Sequence, residues 1–290
     1  MSLADVSLTA HLTSRALIAV SGPDARPFLD NLLSNRVEDL TPGEGRAALL
    51  LTPQGKFLFD LIVIAPPADE PQDILLLDVQ ADRRAALIQR LKIYRLRAKV
   101  QVEPVDGAVW AAWGPESSFA PGDGWIPDPR LAELGWRGYG REAAADAGED
   151  AYDAHRLLLG VPDPARDCEP DRTFPLEADY DLLNAIDFKK GCYVGQETTS
   201  RMKRRSAVKT RMLPIRFEGP APASGAPVET KDGLRAGEIL SGREGRAMAL
   251  LRLDRAVSGP LASQGRPVAL DVPGWWPEGT LPKPGEGAAD

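Results

Sequence analysis

A chain of 290 residues with 43% hydrophobic and 27% charged residues has a globular composition and enough length for about two domains. A formal net charge of -7 argues against a surface made for nucleic acid, and two cysteines with two histidines give little material for a disulfide framework or a zinc site. No segment approaches the roughly 18 apolar residues of a membrane span, and the start has no basic leader before an apolar run. The expectation is therefore a cytoplasmic protein with no membrane partner.

Taken in chain order, "RALIAV" reads as a strand, and Asp24 in the turn after it can cap a helix over "ARPFLDNLLSN", whose Phe28, Leu29, Leu32 and Leu33 share a face. "RAALLLT" and "KFLFDLIVIA" read as two strands joined by the turn "PQG", and "DILLLDV" as a third. "QADRRAALIQRLKIYRL" has Leu87, Leu91 and Tyr94 at helical spacing, and "AKVQVEPV" closes the set as a strand. That order predicts a ferredoxin-like α/β layer with its helices on one face.

Beyond residue 105 the signals thin. "AVWAAWG" reads as a strand, "GWIPDPRLAELGWRGYG" as a punctuated excursion with room for a second strand, and "AYDAHRLLLG" as a helix stopped by Gly160 and Pro162. "VPDPARDCEPDRTFPLEADYD" is too rich in Pro and Asp for regular structure. After Arg205 short strands split by Gly and Pro predict a small barrel, followed by a loose tail. The expected boundaries are a first lobe at 1–105, a second at 106–207 with segments free to cross between the two lobes, a barrel at 208–275 and a tail at 276–290.

The chemistry concentrates in "FKKGCYVGQETTSRMKRR". Gly191 and Gly195 permit backbone conformations with positive φ, so Cys192 is expected at a tight, accessible corner, with Lys189 and Lys190 favouring its thiolate. Gln196 onward can form a helix whose Glu197 and Arg201 are spaced as an i, i+4 ion pair, and whose free N-terminal amides favour an anion. Lys189, Lys190, Arg201, Lys203, Arg204, Arg205, Lys209 and Arg211 form a positive strip interrupted by one acid, Glu197. Cys168, in "ARDCEPD", is read as structural.

"KGCYVGQE", Lys190 to Glu197, resembles the signature of the YgfZ family, folate-binding relatives of the glycine-cleavage T-protein implicated in iron-sulfur cluster assembly. "FLDNLLSNRV", "LLLTPQGKFLFDLIVI", "AYDAHRLLLGVP" and "FPLEADYDLLNAIDFKK" extend the resemblance over most of residues 10 to 255. It implies an α+β, T-protein-like fold: two ferredoxin-like lobes and a C-terminal β-barrel around a central hole that holds tetrahydrofolate or a one-carbon derivative. It implies Cys192 as the functional thiol, with Lys190, Gly191, Tyr193, Gln196, Glu197, Arg201, Asn35, Phe57 and Asp60 as folate-site candidates. The positive strip would meet the folate's glutamate tail.

The T-protein carries paired aspartates on the corresponding hairpin, whereas here Phe59 stands before Asp60, and strand alternation sends those two side chains to opposite faces. The leading expectation is accordingly an auxiliary factor for iron-sulfur proteins, in transient contact with client or assembly proteins. A folate-dependent aminomethyl or one-carbon transferase is the alternative, and nucleic-acid binding the remote one.

Overall fold

The computed structural model describes residues 7–115, 124–140, 143–204 and 208–283. The strands are β1 (Leu8–His11), β2 (Arg15–Ser21), β3 (Gly45–Leu51), β4 (Phe57–Ile64), β5 (Ile74–Gln80), β6 (Gln101–Val105), β7 (Val109–Trp113), β8 (Trp125–Pro127) and β9 (Trp136–Tyr139), then β10 (Thr210–Arg216), β11 (Pro227–Thr230), β12 (Arg235–Arg243), β13 (Arg246–Arg252), β14 (Leu261–Ser263) and β15 (Arg266–Leu270). The helices are α1 (Ala25–Leu32), α2 (Arg84–Tyr94), α3 (Glu149–Leu159), α4 (Pro164–Asp167), α5 (Gln196–Arg204) and α6 (Leu253–Ala256). They fall into two compact units, one of Met1–Asp153 with Leu183–Glu197, the other of Ala154–Leu182 with Thr198–Asp290.

The first unit contains two antiparallel sheets. Five strands in the order β3-β4-β5-β2-β6 make the larger sheet, and α1 and α2 cover one of its faces. The core between them takes Phe28, Leu29 and Leu32 from α1, Leu87 and Leu91 from α2, and alternate residues such as Ile18, Val20, Phe59, Leu61 and Val63 from the strands. Phe59 thus faces the helices and Asp60 the other side, as alternation predicts. Asp24 sits at the N-cap of α1 without capping it; its carboxylate accepts the backbone N–H of Lys99 at 2.7 Å instead.

The smaller sheet runs β1-β7-β9-β8. Its first strand comes from the very start of the described chain, pairing Leu8 with Trp113 and His11 with Trp110. The expected first lobe at 1–105 therefore lends a strand to the second sheet, and 106–207 is not one continuous lobe.

In the second unit β10-β13-β12-β11-β14-β15 close into a barrel around Leu213, Ile215, Val228, Ile239, Ala249, Leu251 and Val268. Closure removes the free edges that would otherwise invite pairing with another chain. The Pro- and Asp-rich segment is irregular apart from α4, which breaks the expectation of no regular structure there, and Leu176, Ala178 and Tyr180 within it are buried. Arg211 on β10 fixes it by donating to the Leu176 carbonyl at 2.9 Å and to the carboxylates of Asp179 and Asp181 at 2.7 and 2.9 Å. The expected loose tail is packed at its first residue, where Trp276 is buried in the barrel core; just before it, the Trp275 indole N–H donates to the Leu159 carbonyl at 2.7 Å. The area of two indoles outweighs the Pro and Gly around them.

Candidate functional site

The Cys192 segment is pinned at four points and free at two. Lys190 turns inward, its side chain 1% exposed, and its ammonium donates to the carbonyl oxygens of Asp30, Leu33 and Asn35 at 2.5, 3.0 and 2.9 Å. Those are carbonyls that α1 leaves unpaired at and just beyond its C-terminus, where a cation is favoured. Tyr193 is 7% exposed, and Val194 packs against the core of the larger sheet. Gly195 has φ +83°, and a Cβ there would stand 2.5 Å from the Thr52 carbonyl oxygen and 3.0 Å from Gly55 Cα. The segment is thereby seated on the turn between β3 and β4, itself closed by Gly55 N–H to Thr52 O at 2.8 Å and Thr52 N–H to Lys56 O at 2.8 Å.

Gly191 and Cys192 are exposed between those anchors. Gly191 has no positive φ, and a Cβ added to it would meet no atom within 4 Å, so the expected backbone demand there is corrected: only Gly195 requires glycine. We expect Gly195→Ala to lower the melting temperature of the first unit markedly and Gly191→Ala to leave it within about 0.5 kcal/mol of wild type, read by thermal denaturation.

The remaining candidates divide. Asn35 is buried, its amide donating to Ala47 O at 2.8 Å and Asn184 O at 2.7 Å while its oxygen accepts from Arg36 N–H at 2.9 Å. Phe57 is fully buried at the start of β4. The polar groups of Asn35 and Lys190 are thus engaged within the protein, and Phe57 is packed in its interior. Lys190 in particular brings no free ammonium to the thiol, because the end of α1 consumes all its donors.

Gln196 begins α5 and its amide reaches back to the Gly191 carbonyl at 3.3 Å. Glu197 and Arg201 are exposed on that helix. Tyr193 Oη is buried with no hydrogen-bond partner, and burial pushes its pKa up to about 12. The expected strip of positive charge is broken: Lys190 and Arg211 are buried in hydrogen bonds, and Lys203 pairs with Asp181 at 2.8 Å. Lys189, Arg201, Arg204 and Lys209 are its exposed remainder; Arg205 lies outside the described residues.

Asp60 lies on the helix-free face of the larger sheet in a chain of ion pairs that no sequence motif announces. Its carboxylate accepts from Arg15 at 2.7 Å and from the Gln80 amide at 2.8 Å. Arg15 also binds Asp78 at 2.6 Å, and Asp78 in turn accepts from the Tyr139 hydroxyl at 3.2 Å. Arg137 on β9 continues the chain to Asp128 at 3.0 Å, where Arg130 binds at 2.7 Å. Burial alone would raise the Asp60 carboxyl, but Arg15 and Gln80 outweigh it and hold the group below the usual carboxylate range. An ionised carboxylate already engaged by a guanidinium and an amide is a poor base for one-carbon transfer. The only sequence signal for this network is the polar interruption of apolar strands at Asp60 and Asp78.

Two antiparallel α/β sheets joined to a closed C-terminal barrel define the class: this is the fold of the glycine-cleavage T-protein. The aminomethyltransferase T of the glycine cleavage system from Bartonella henselae superposes with a TM-score of 0.74, covering 94% of this chain and 87% of that one at 18% identity. Residues 209–278 match the CAF17 C-terminal beta-barrel domain. The mitochondrial iron-sulfur cluster assembly factor IBA57 of Homo sapiens is 36% identical over 303 residues, covering 92% of this chain and 85% of that protein. Its Mus musculus counterpart is 35% identical over 304 residues, with the same two shares. The chain belongs to the IBA57 family of iron-sulfur cluster assembly factors. The expected cytoplasmic location is overturned by these relatives, which are mitochondrial proteins, as is the Neurospora crassa homologue.

Proposed function

We infer that this protein serves the assembly or repair of iron-sulfur proteins and that Cys192 is its working thiol. The observation that carries the reading is an exposed cysteine held on a loop anchored by Lys190, Tyr193, Val194 and Gly195. A cluster takes about four thiolates. Cys168 is buried and Cys192 is the chain's other cysteine, so a cluster reaching this loop is held jointly with a client or assembly protein. The likeness of "KGCYVGQE" to the YgfZ signature and the relatives' role in cluster assembly support this.

Tetrahydrofolate is the proposed ligand. The Gln196 amide and the exposed Glu197 carboxylate suit the N–H and carbonyl edge of a pterin, and the exposed Arg201 suits the glutamate tail. When bound, the folate would supply one-carbon or reducing chemistry beside the thiol.

Calorimetric titration with tetrahydrofolate should give saturable heat with wild type and with Cys192→Ser, and at least about tenfold weaker binding with Arg201→Glu. In cells depleted of the endogenous factor, Cys192→Ser should fold yet fail to restore iron-sulfur enzyme activity. Full restoration by Cys192→Ser would overturn the thiol's role, and absence of heat with wild type would overturn the ligand.

A further inference from the structure

The end of α2 presents a combination that neither the thiol nor the folate reading uses. From Arg83 to Val102 the chain contains no Asp or Glu, and Arg90, Lys92, Arg95, Arg97 and Lys99 are all exposed. Among them stand Ile93 at 66% and Leu96 at 89% exposure, Leu96 being the most exposed large apolar side chain among the described residues. Isolated apolar residues on a surface need no explanation, but two at i, i+3 among Arg90, Arg95, Arg97 and Lys99 do; Lys92 beside them is paired with Glu103 at 3.5 Å.

Leu96 is not exposed through fraying. Arg95 N–H bonds to Leu91 O at 3.0 Å, Ala98 N–H to Arg95 O at 2.7 Å, and Lys99 N–H to the Asp24 carboxylate at 2.7 Å. Leu91 before it and Val100 after it are buried in the core. Between these ties Leu96 holds φ +43°, a left-handed conformation unfavourable for leucine. The fold thus keeps a leucine with an 89% exposed side chain at the left-handed position just past the end of α2, where glycine usually stands. Helix-dipole complementarity accounts for basic residues in the last turn of α2. It does not account for Leu96.

We propose that the C-terminal turn of α2 is a docking site for an anionic phospholipid surface, with Ile93 and Leu96 entering the headgroup region and the surrounding cations meeting lipid phosphates. The apolar pair protrudes, and a bilayer interface receives a protrusion without a matching pocket, as a protein partner would have to provide. Each Lys or Arg near an anionic leaflet strengthens binding by about fivefold, and the chain's net charge of -7 repels the rest of the surface, orienting this turn toward the lipid. Such attachment needs no spanning helix, so the expectation of no membrane partner, drawn from the absence of a span, is revised to this extent.

The test is flotation of the full chain with vesicles of phosphatidylcholine alone and of an equal mixture of phosphatidylcholine and phosphatidylglycerol. Wild type should float with the mixture and not with phosphatidylcholine, and added salt should weaken the binding. Arg97→Glu/Lys99→Glu should bind at least about tenfold less. Leu96→Gly relieves the left-handed strain, so it should bind less while melting no lower than wild type. Failure to float with the anionic vesicles at low salt would overturn the proposal. So would equal binding by both variants, or release by poly-glutamate or inorganic phosphate at constant ionic strength, which would mark an acidic protein or a free anion as the occupant.

Discussion

Replacing Asp128 with alanine is expected to destabilise the first unit by about 3–5 kcal/mol, the loss that follows when one partner of a buried charge cluster is removed. Asp128 is buried and receives Arg130 through Nε at 2.9 Å and Nη2 at 2.7 Å, together with Arg137 Nε at 3.0 Å. Its removal leaves two guanidinium groups beside the hydroxyl of Tyr152, with Asp78 3.8 Å from Arg137 as the nearest remaining anion for that arginine. Asp128→Asn keeps the shape and an acceptor, so its cost should be smaller but of the same sign. Urea unfolding of the first unit at neutral pH, with Asp60→Asn as a less buried comparison, measures the order.

The same group gives the protein an acid-side signature. Burial by itself would raise the Asp128 carboxyl, but Arg130 and Arg137 outweigh it and hold the group well below the ordinary carboxylate range. A folded-state value below the unfolded one, about 3.9, means that the stabilisation is complete above that pH and is lost as the pH falls toward the folded value. The stability gap between wild type and Asp128→Ala should therefore be widest at neutral pH and narrow progressively below about pH 4. A gap independent of pH would assign the loss to packing rather than to charge.

Periodicity reveals elements long enough to repeat and overlooks those that are not. α1, α2 and the strands from β2 to β6 show themselves because each carries an apolar face over five or more residues. β1 is the four residues Leu8–His11, while β8 and β14 have three each, too few for an alternation to be distinguished from a loop. The sheet to which β1 belongs is fixed by a partner some hundred residues away, which no local pattern records. The site divides along the same line. Exposure of Cys192 follows from its glycine-flanked corner, and the opposed faces of Phe59 and Asp60 follow from strand alternation. Whether a glycine is obligatory depends on what lies across from it, so Gly191 and Gly195 look alike in sequence and differ in space. The charges misled most. Lysine and arginine read as surface residues, and Lys190 and Arg211 are buried because helix ends and aspartates elsewhere in the chain demanded donors.

Lys190→Met should cost the first unit about 2–4 kcal/mol and detach the Cys192 loop from α1. The ammonium satisfies carbonyls of Asp30, Leu33 and Asn35 and lies 3.4 Å from the Asp30 carboxylate, so a thioether of similar volume leaves three acceptors and one anion without their cation. Burial lowers the Lys190 pKa, with Asp30 opposing the shift, so part of the gain from these bonds is offset by desolvation; this limits the expected loss to less than that of Asp128→Ala. Arginine is no remedy: a planar guanidinium does not reproduce the three-way geometry of an ammonium, and Lys190→Arg should recover less than half of the loss. The loop provides a second readout, because Cys192 is already exposed while Tyr193 and Val194 are packed. In Lys190→Met the backbone amides of Tyr193 and Val194 should exchange with solvent deuterium faster than in wild type, while alkylation of Cys192 changes little. Unchanged exchange at both amides would mean that Gly195 on the β3–β4 turn holds the loop alone, and that Lys190 serves α1 rather than the thiol.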